Sequence, residues 1–244
     1  MNAVLFGATK GMGRALARQM AERGDQLFLL ARDVDDAVRS AADLRARGAA
    51  SVEVGPCNLE EPDDFARALD EAWTSLQRVD AVVLSAGMFG TQEALEDDLA
   101  YTRRVLTVNY TNTVLFCEHA RRRLLDQGGG TLCVFSSVAG DRGRKPVVLY
   151  GSSKAGLSHY LESLDHKYRE QGLVTLCVKP GFVKTTMTAG LKPPPFAGDA
   201  DPVARRVLAA IDRKAPMVYA PWIWGWIMRV IRMLPRQVMR RVGF

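Results

Sequence analysis

Short apolar runs punctuate the chain at regular intervals. They are AVLF from Ala3, LFLLA from Leu27, SVEV from Ser51, VDAVVLS from Val79, GTLCVFSS from Gly130, LVTLCVKP from Leu173 and PMVYAP from Pro216. Each has strand length, and most are continuously apolar, as a sheet covered on both faces requires. Between them, Arg14–Arg23, Asp33–Arg47, Pro62–Gln77 and Leu99–Gln127 repeat apolar positions with helical period. Strands alternating with helices predict βαβ units. The expected fold is therefore α/β, a doubly wound, seven-stranded parallel sheet with helices on both faces. Two segments leave the alternation. Met187–Ala200 contains three consecutive prolines, which neither continue a helix nor pair in a sheet, so it reads as a loop. The other is the end of the chain.

Composition adds little to this picture until charge is located. The chain has 244 residues, enough for one α/β domain, and 48% apolar residues, enough for a full core. Of its 33 Lys and Arg, seven lie from Arg213 onward with no acid after Asp212, leaving 26 basic against 27 acidic residues in the body. A neutral body argues against nucleic acid. A basic, aromatic tail suggests an anionic surface. Cys57, Cys117, Cys133 and Cys177 form no C-x-x-C pair and no metal-spaced cluster, so no metal is expected. Cys133 and Cys177 lie in apolar runs and read as inert buried thiols. The first strand begins almost at Met1, leaving no room for a signal peptide, and a cytoplasmic location is expected.

The chemistry begins at VLFGATKGMGRALARQM, which places Gly7, Gly11 and Gly13 between the first strand and first helix. Glycines let a phosphate approach the backbone, and helix N–H groups point at it. The second strand ends LFLLARD. An acid there would hold a ribose 2′-hydroxyl and an arginine a 2′-phosphate. Arg32 comes first and Lys10 adds a second cation, so NADP(H) is expected over NAD(H); Asp33 would cap the next helix. YGSSK sets Tyr150 and Lys154 one turn apart on a helix face, where the lysine would lower the phenol pKa. VFSSVAG puts Ser136 and Ser137 at a strand end, where open α/β sheets build their sites. His119, His159 and His166 have no recognisable catalytic partner and read as structural or solvated.

In this order these motifs resemble those of the short-chain dehydrogenase/reductase family, of the classical single-domain type, from about Ala3 to Tyr219. The resemblance implies a catalytic set of Ser137, Tyr150, Lys154 and Asn109. Ser137 would bond the substrate oxygen, Tyr150 would donate a proton, Lys154 would bind the nicotinamide ribose, and Asn109 of LTVNY would hold a relay water. It implies cofactor contacts at Gly7, Thr9, Lys10, Gly11, Met12, Gly13, Arg32, Ala86, Gly87, Tyr150, Lys154, Pro180, Gly181, Val183 and Thr185. Asn58 and Leu59 would lie at the adenine. Ser85 stands where the family has asparagine, which weakens one structural hydrogen-bond role. A homodimer or homotetramer is also implied. The activity implied is NADPH-dependent reduction of a ketone, with the Met187–Ala200 loop closing the pocket. A cofactor-binding regulator is the alternative, though such proteins commonly lose the tyrosine or lysine.

The tail, residues 221–244 beyond a 1–220 domain, holds Trp222, Trp224 and Trp226 and then five arginines. Wound as a helix from Trp222 to Arg241, it places Arg229, Arg232, Arg236 and Arg240 on one face. Ile223, Trp226, Ile227, Val230, Ile231, Leu234 and Val238 cover another, and Pro235 interrupts it. Its apolar stretch is too short to span a bilayer. The pattern is that of an interfacial anchor, and it looks loosely like the tails of membrane-associated family members such as polyprenyl-phosphoryl 2-keto-pentose reductases. A lipid-linked ketone is then the expected substrate. An oligomer interface, with a soluble small ketone as substrate, and a lid over the active site are the competing readings.

Overall fold

The computed structural model describes residues 1–243; Phe244, the last residue of the tail, lies outside the described residues. Seven parallel strands form one sheet: β1 (Asn2–Phe6), β2 (Gln26–Ala31), β3 (Ser51–Pro56), β4 (Ala81–Leu84), β5 (Gly130–Phe135), β6 (Leu173–Pro180) and, after two short strands, β9 (Met217–Ala220). Their order is β3-β2-β1-β4-β5-β6-β9. All seven expected strands are present. Chain direction across the sheet reverses between β1 and β4, and in open α/β sheets ligands bind at such a switch point.

Strand alternation sorts the core. In β1, Ala3 and Leu5 face a layer made by α1 (Gly11–Glu22), α2 (Val34–Ala46) and α8 (Ala200–Asp212), with Leu16, Leu44 and Val207 at its centre. Val4 and Phe6 face the opposite layer of α3 (Phe65–Leu76), α6 (Thr113–Asp126) and α7 (Val148–Tyr168), around Phe65, Phe116 and Leu161. All four cysteines are buried in these layers as free thiols, and Cys133 and Cys177 are pushed up from the ordinary thiol range by burial. The sheet thus gets its two-sided cover from single helices whose apolar faces have matching width.

Three segments differ from the sequence reading. Leu99–Gln127 is not one helix. Helix α5 (Leu99–Leu106) passes into a wide π turn, Thr107–Asn112, before α6 begins, and Asn109 sits fully buried inside that turn. A short helix, α4 (Gln92–Asp97), precedes α5 and is capped by the Thr91 hydroxyl. The Met187–Ala200 loop is tied back to the segment before it: β7 (Val183–Lys184) runs parallel to β8 (Gly198–Asp199).

The tail is docked on the body. Helix α9 (Ile223–Met233) ends before Pro235, and a single turn, α10 (Arg236–Met239), follows. Its buried face is Trp224, Met228 and Ile231, packed on Val138 and Tyr219. Trp224 was absent from the apolar face drawn from the sequence, and Ile227 flanks the docked side rather than the free one. Trp222, Trp226, Val230 and Met233 form a second, exposed apolar stripe. The helix therefore has two apolar faces where a helical wheel suggested one. No helix among the described residues is long and apolar enough to cross a membrane.

Candidate active site

A cleft of about 620 Å³ opens at the switch point, along the C-terminal ends of β1, β2 and β4. Its walls include Gly7, Thr9, Lys10, Gly11, Met12, Gly13, Arg32, Asn58, Leu59, Ala86, Gly87 and Thr185, all expected from the sequence. Gly7 takes φ +100°, and a Cβ on Gly13 would collide with the Gly7 carbonyl, so the turn closes only with glycine at both. Helix α1 starts at Gly11 with its N–H groups on this turn. The cradle fits the diphosphate of a dinucleotide. Ser85, in place of the family's asparagine, still ties β4 to the turn: its hydroxyl lies 3.3 Å from the Phe6 carbonyl and 3.1 Å from that of Gly7. The structural link expected to weaken is present.

The adenosine end is more crowded than the sequence suggested. Arg32 is 70% exposed and reaches Glu60 at 3.3 Å; Arg104 holds the same carboxylate at 2.6 and 2.8 Å. Lys10 is 3.8 Å from Asp36. Asp33 caps α2 through the Asp36 N–H, as expected. Two arginines hold the Glu60 carboxyl below its ordinary range. Glu60 and Arg104 carry no motif, and only the folded chain brings them to Arg32. Asn58 is turned inward: its amide donates to Glu61 and its oxygen accepts the Glu60 N–H, which leaves it little for an adenine edge.

At the other end of the cleft, β5 delivers Ser137 and α7 delivers Tyr150 and Lys154. The Ser137 hydroxyl accepts the Ala139 N–H at 3.1 Å and lies 3.5 Å from the Pro180 carbonyl. Ser136 points elsewhere, to the Lys154 carbonyl and Ser158, so Ser137 is the serine at the site. Lys154 is buried; its Nζ donates to the Phe135 carbonyl at 3.0 Å and lies 5.8 Å from the Tyr150 ring centre. Burial pulls its pKa down to about 8. Burial also pushes the Tyr150 phenol up to about 12, with the neighbouring Ser137 hydroxyl acting the other way. The expected depression of the tyrosine pKa by the lysine is thus reversed, because loss of solvent outweighs an amine already committed to a carbonyl.

Asn109 is strapped to the strand-end loop. Its Oδ1 accepts the Met88 N–H and its Nδ2 donates to the Met88 carbonyl, both at 2.8 Å. A methyl on Gly87 would lie 3.1 Å from Asn109 Oδ1 and 3.8 Å from Lys154 Nζ, so these three residues meet. The Asn109 side chain thus spends one acceptor and one donor site on Met88. Phe89, which no motif marked, lies edge-on to Tyr150 at 5.2 Å. Pro180, Gly181 and Val183 are not among the walls of the nucleotide cleft: Pro180 lies beside Ser137, and Val183 is buried in the core layer with α1. Gly181 abuts the Trp224 indole, whose N–H donates to the Phe196 carbonyl of the loop. His119, His159 and His166 are all remote from these groups on α6 and α7.

This combination of switch-point cradle and Ser–Tyr–Lys cluster defines a nucleotide-dependent oxidoreductase of Rossmann type. The sequence model of the short chain dehydrogenase family matches residues 1–195, and the chain belongs to that family of NAD(P)-dependent oxidoreductases. It is 32% identical to an uncharacterized oxidoreductase of Mycobacterium tuberculosis, over 98% of this chain and 96% of that one. It is 28% identical to carbonyl reductase family member 4 of Xenopus tropicalis, over 93% and 94%. A short-chain dehydrogenase from Sphingobium yanoikuyae, solved in complex with NADPH, shares the fold with a TM-score of 0.81 at 23% identity, each chain covered to 96%.

Proposed function

We propose that the protein is an NADPH-dependent carbonyl reductase that turns a ketone into a secondary alcohol. The observation that carries this reading is the cluster of Ser137, Tyr150 and Lys154 beside a glycine-lined cradle, with Lys154 next to Gly87 and Tyr150 edge-on to Phe89 of its wall. The bound nicotinamide would supply hydride. Ser137 hydrogen-bonds the ketone oxygen and orients it. Tyr150, protonated throughout the physiological range, donates the proton as negative charge develops on that oxygen. Lys154 returns the proton to Tyr150, and Asn109 holds the strand-end loop beside it. Arg32 favours a 2′-phosphate, because it is largely exposed and only loosely engaged by Glu60. The relatives named carbonyl reductase and the neighbour holding NADPH are in line with both points.

For the substrate we favour an apolar or lipid-linked ketone met at an anionic membrane surface on the cytoplasmic side. The support is the exposed stripe of Trp222, Trp226, Val230 and Met233 beside Arg229. Tryptophan prefers the headgroup region and arginine the anionic surface. Trp224 of the same helix docks at Gly181, while Trp222, Trp226 and Met233 line a groove with α8 and β9, so one helix carries a docked face and a free one. NADPH oxidation with a panel of short-chain and long-chain ketones, with and without anionic vesicles, tests the reading. Turnover favouring long chains and rising with vesicles is expected. Equal turnover of short, soluble ketones would remove the lipid part.

A further inference from the structure

Behind the catalytic segment lies a second cavity that the reductase reading does not use. It has a volume of about 710 Å³, between the loop after Ser137, the first turn of α7 and the tail helix α10. Five cationic side chains line it: Arg142, Arg144 and Lys145 from the loop, and Arg236 and Arg240 from the tail. No acidic residue lines it, and among the described residues none of the five forms an ion pair. Like charges gathered at a cavity repel one another and are tolerated when an anion joins them.

The second observation is the state of Arg144. Its Nε is buried and has no hydrogen-bond acceptor. A buried guanidinium N–H without an acceptor is costly, and such groups commonly mark an absent ion. The nearest acid, Asp141, is committed elsewhere: Lys179 holds one oxygen at 2.6 Å and the Tyr219 hydroxyl the other at 2.7 Å. Burial pulls the Arg144 pKa down, and Asp141 offsets this only at a distance. Arg142 donates to the Leu234 carbonyl, which fixes the tail against the loop and so brings Arg236 and Arg240 to the cavity.

We propose that this cavity is a binding site for a phosphate-class anion, a phosphate ester or diphosphate, with Arg144 at its floor and Arg236 of the tail at its rim. Guanidinium forks match phosphate oxygens in pairs, and a cavity of this volume admits a small anionic group. Gly140 and Gly151, three residues after Ser137 and one after Tyr150, also line it, so an occupied site would set the catalytic loop and the tail together. The anion could belong to a free phosphate compound or to a lipid headgroup; the chemistry of the site is the same.

The test uses the full chain saturated with NADPH, so that the nucleotide cleft cannot take the probe. Inorganic pyrophosphate is titrated in by calorimetry at low salt. One site is expected, weakened tenfold or more by Arg144→Gln and by Arg236→Gln, and unchanged by Arg122→Gln, which removes the same charge from the exposed surface of α6. NADPH binding reports that each variant is folded. Should Arg144→Gln fail that check, Arg236→Gln, on an exposed turn, decides alone. Absence of binding, or equal affinity in all variants, overturns the proposal. Vesicles with and without phosphatidic acid then separate the sources. Retention that pyrophosphate displaces and Arg144→Gln abolishes assigns a headgroup; pyrophosphate binding without retention assigns a free anion. The outcome is independent of turnover, so it stands or falls apart from the reductase reading.

Discussion

Tyr150 and Lys154 are displaced in opposite directions by the same cause. Burial holds the phenol protonated, up to about 12, and eases the amine toward neutrality, at about 8. A protonated tyrosine suits a general acid, and a lysine near 8 suits a group that hands protons on. Reductive turnover is therefore expected to fall as pH rises through about 8, when Lys154 loses its charge, while Tyr150 contributes no limb in that range. A kcat–pH profile checks this; a profile flat to pH 10 contradicts it. At the other end of the cleft, Arg32→Leu is expected to weaken NADPH roughly 10- to 100-fold, the scale of a hydrogen bond to a charged group, and to leave NADH nearly unchanged. Fluorescence titration with both nucleotides reads the difference. These residue types and their order were legible in the sequence. The pKa directions were not, because they depend on how much solvent the fold removes. Nor was the Glu60–Arg104 pair, which comes from two distant segments that meet only at the sheet edge.

Elements were legible where one helix or strand buries one face. All seven strands follow from apolar runs, since a doubly covered strand leaves no other choice. The interval from Leu99 to Gln127 failed because a π turn keeps helical periodicity on both sides of itself. The pairing of Asn109, inside that turn, with the Met88 backbone appears only in the folded chain. Asn109→Ala is expected to cost about 2–3 kcal/mol, from two lost hydrogen bonds around a buried backbone pair, measured by urea unfolding. Helix α9 failed for a related reason. A helical wheel separates apolar from charged positions, but it cannot say which of two apolar faces docks. Trp224 sits beside Gly181, where no larger residue would fit. Trp224→Ala is expected to cost roughly 3 kcal/mol and to raise the KM for ketone more than that for NADPH.

At the scale of the whole molecule, the switch point between β1 and β4 puts the cradle and the Ser–Tyr–Lys cluster on one rim of the sheet. The tail adds a second system to that rim, with one face docked, one exposed, and arginines between. Replacing Trp222 and Trp226 together by serine is expected to leave folding intact, since both are more than half exposed, and to reduce retention on anionic vesicles several-fold. Unchanged retention would assign the stripe to another subunit, read as a shift in oligomer size. The fold could be read from order and spacing, and the family from the resemblance of its motifs; the docking of the tail could not, because it depends on a groove made by Val138 and Tyr219 from separate strand ends. The central claim is that Tyr150 supplies the proton in an NADPH-driven ketone reduction. The most direct measurement is steady-state NADPH oxidation with a ketone by the native chain and by Tyr150→Phe, alongside NADPH affinity. The account requires turnover to fall about 10²- to 10⁴-fold with the affinity unchanged. Turnover that survives the substitution, or is lost only together with NADPH binding, would contradict it.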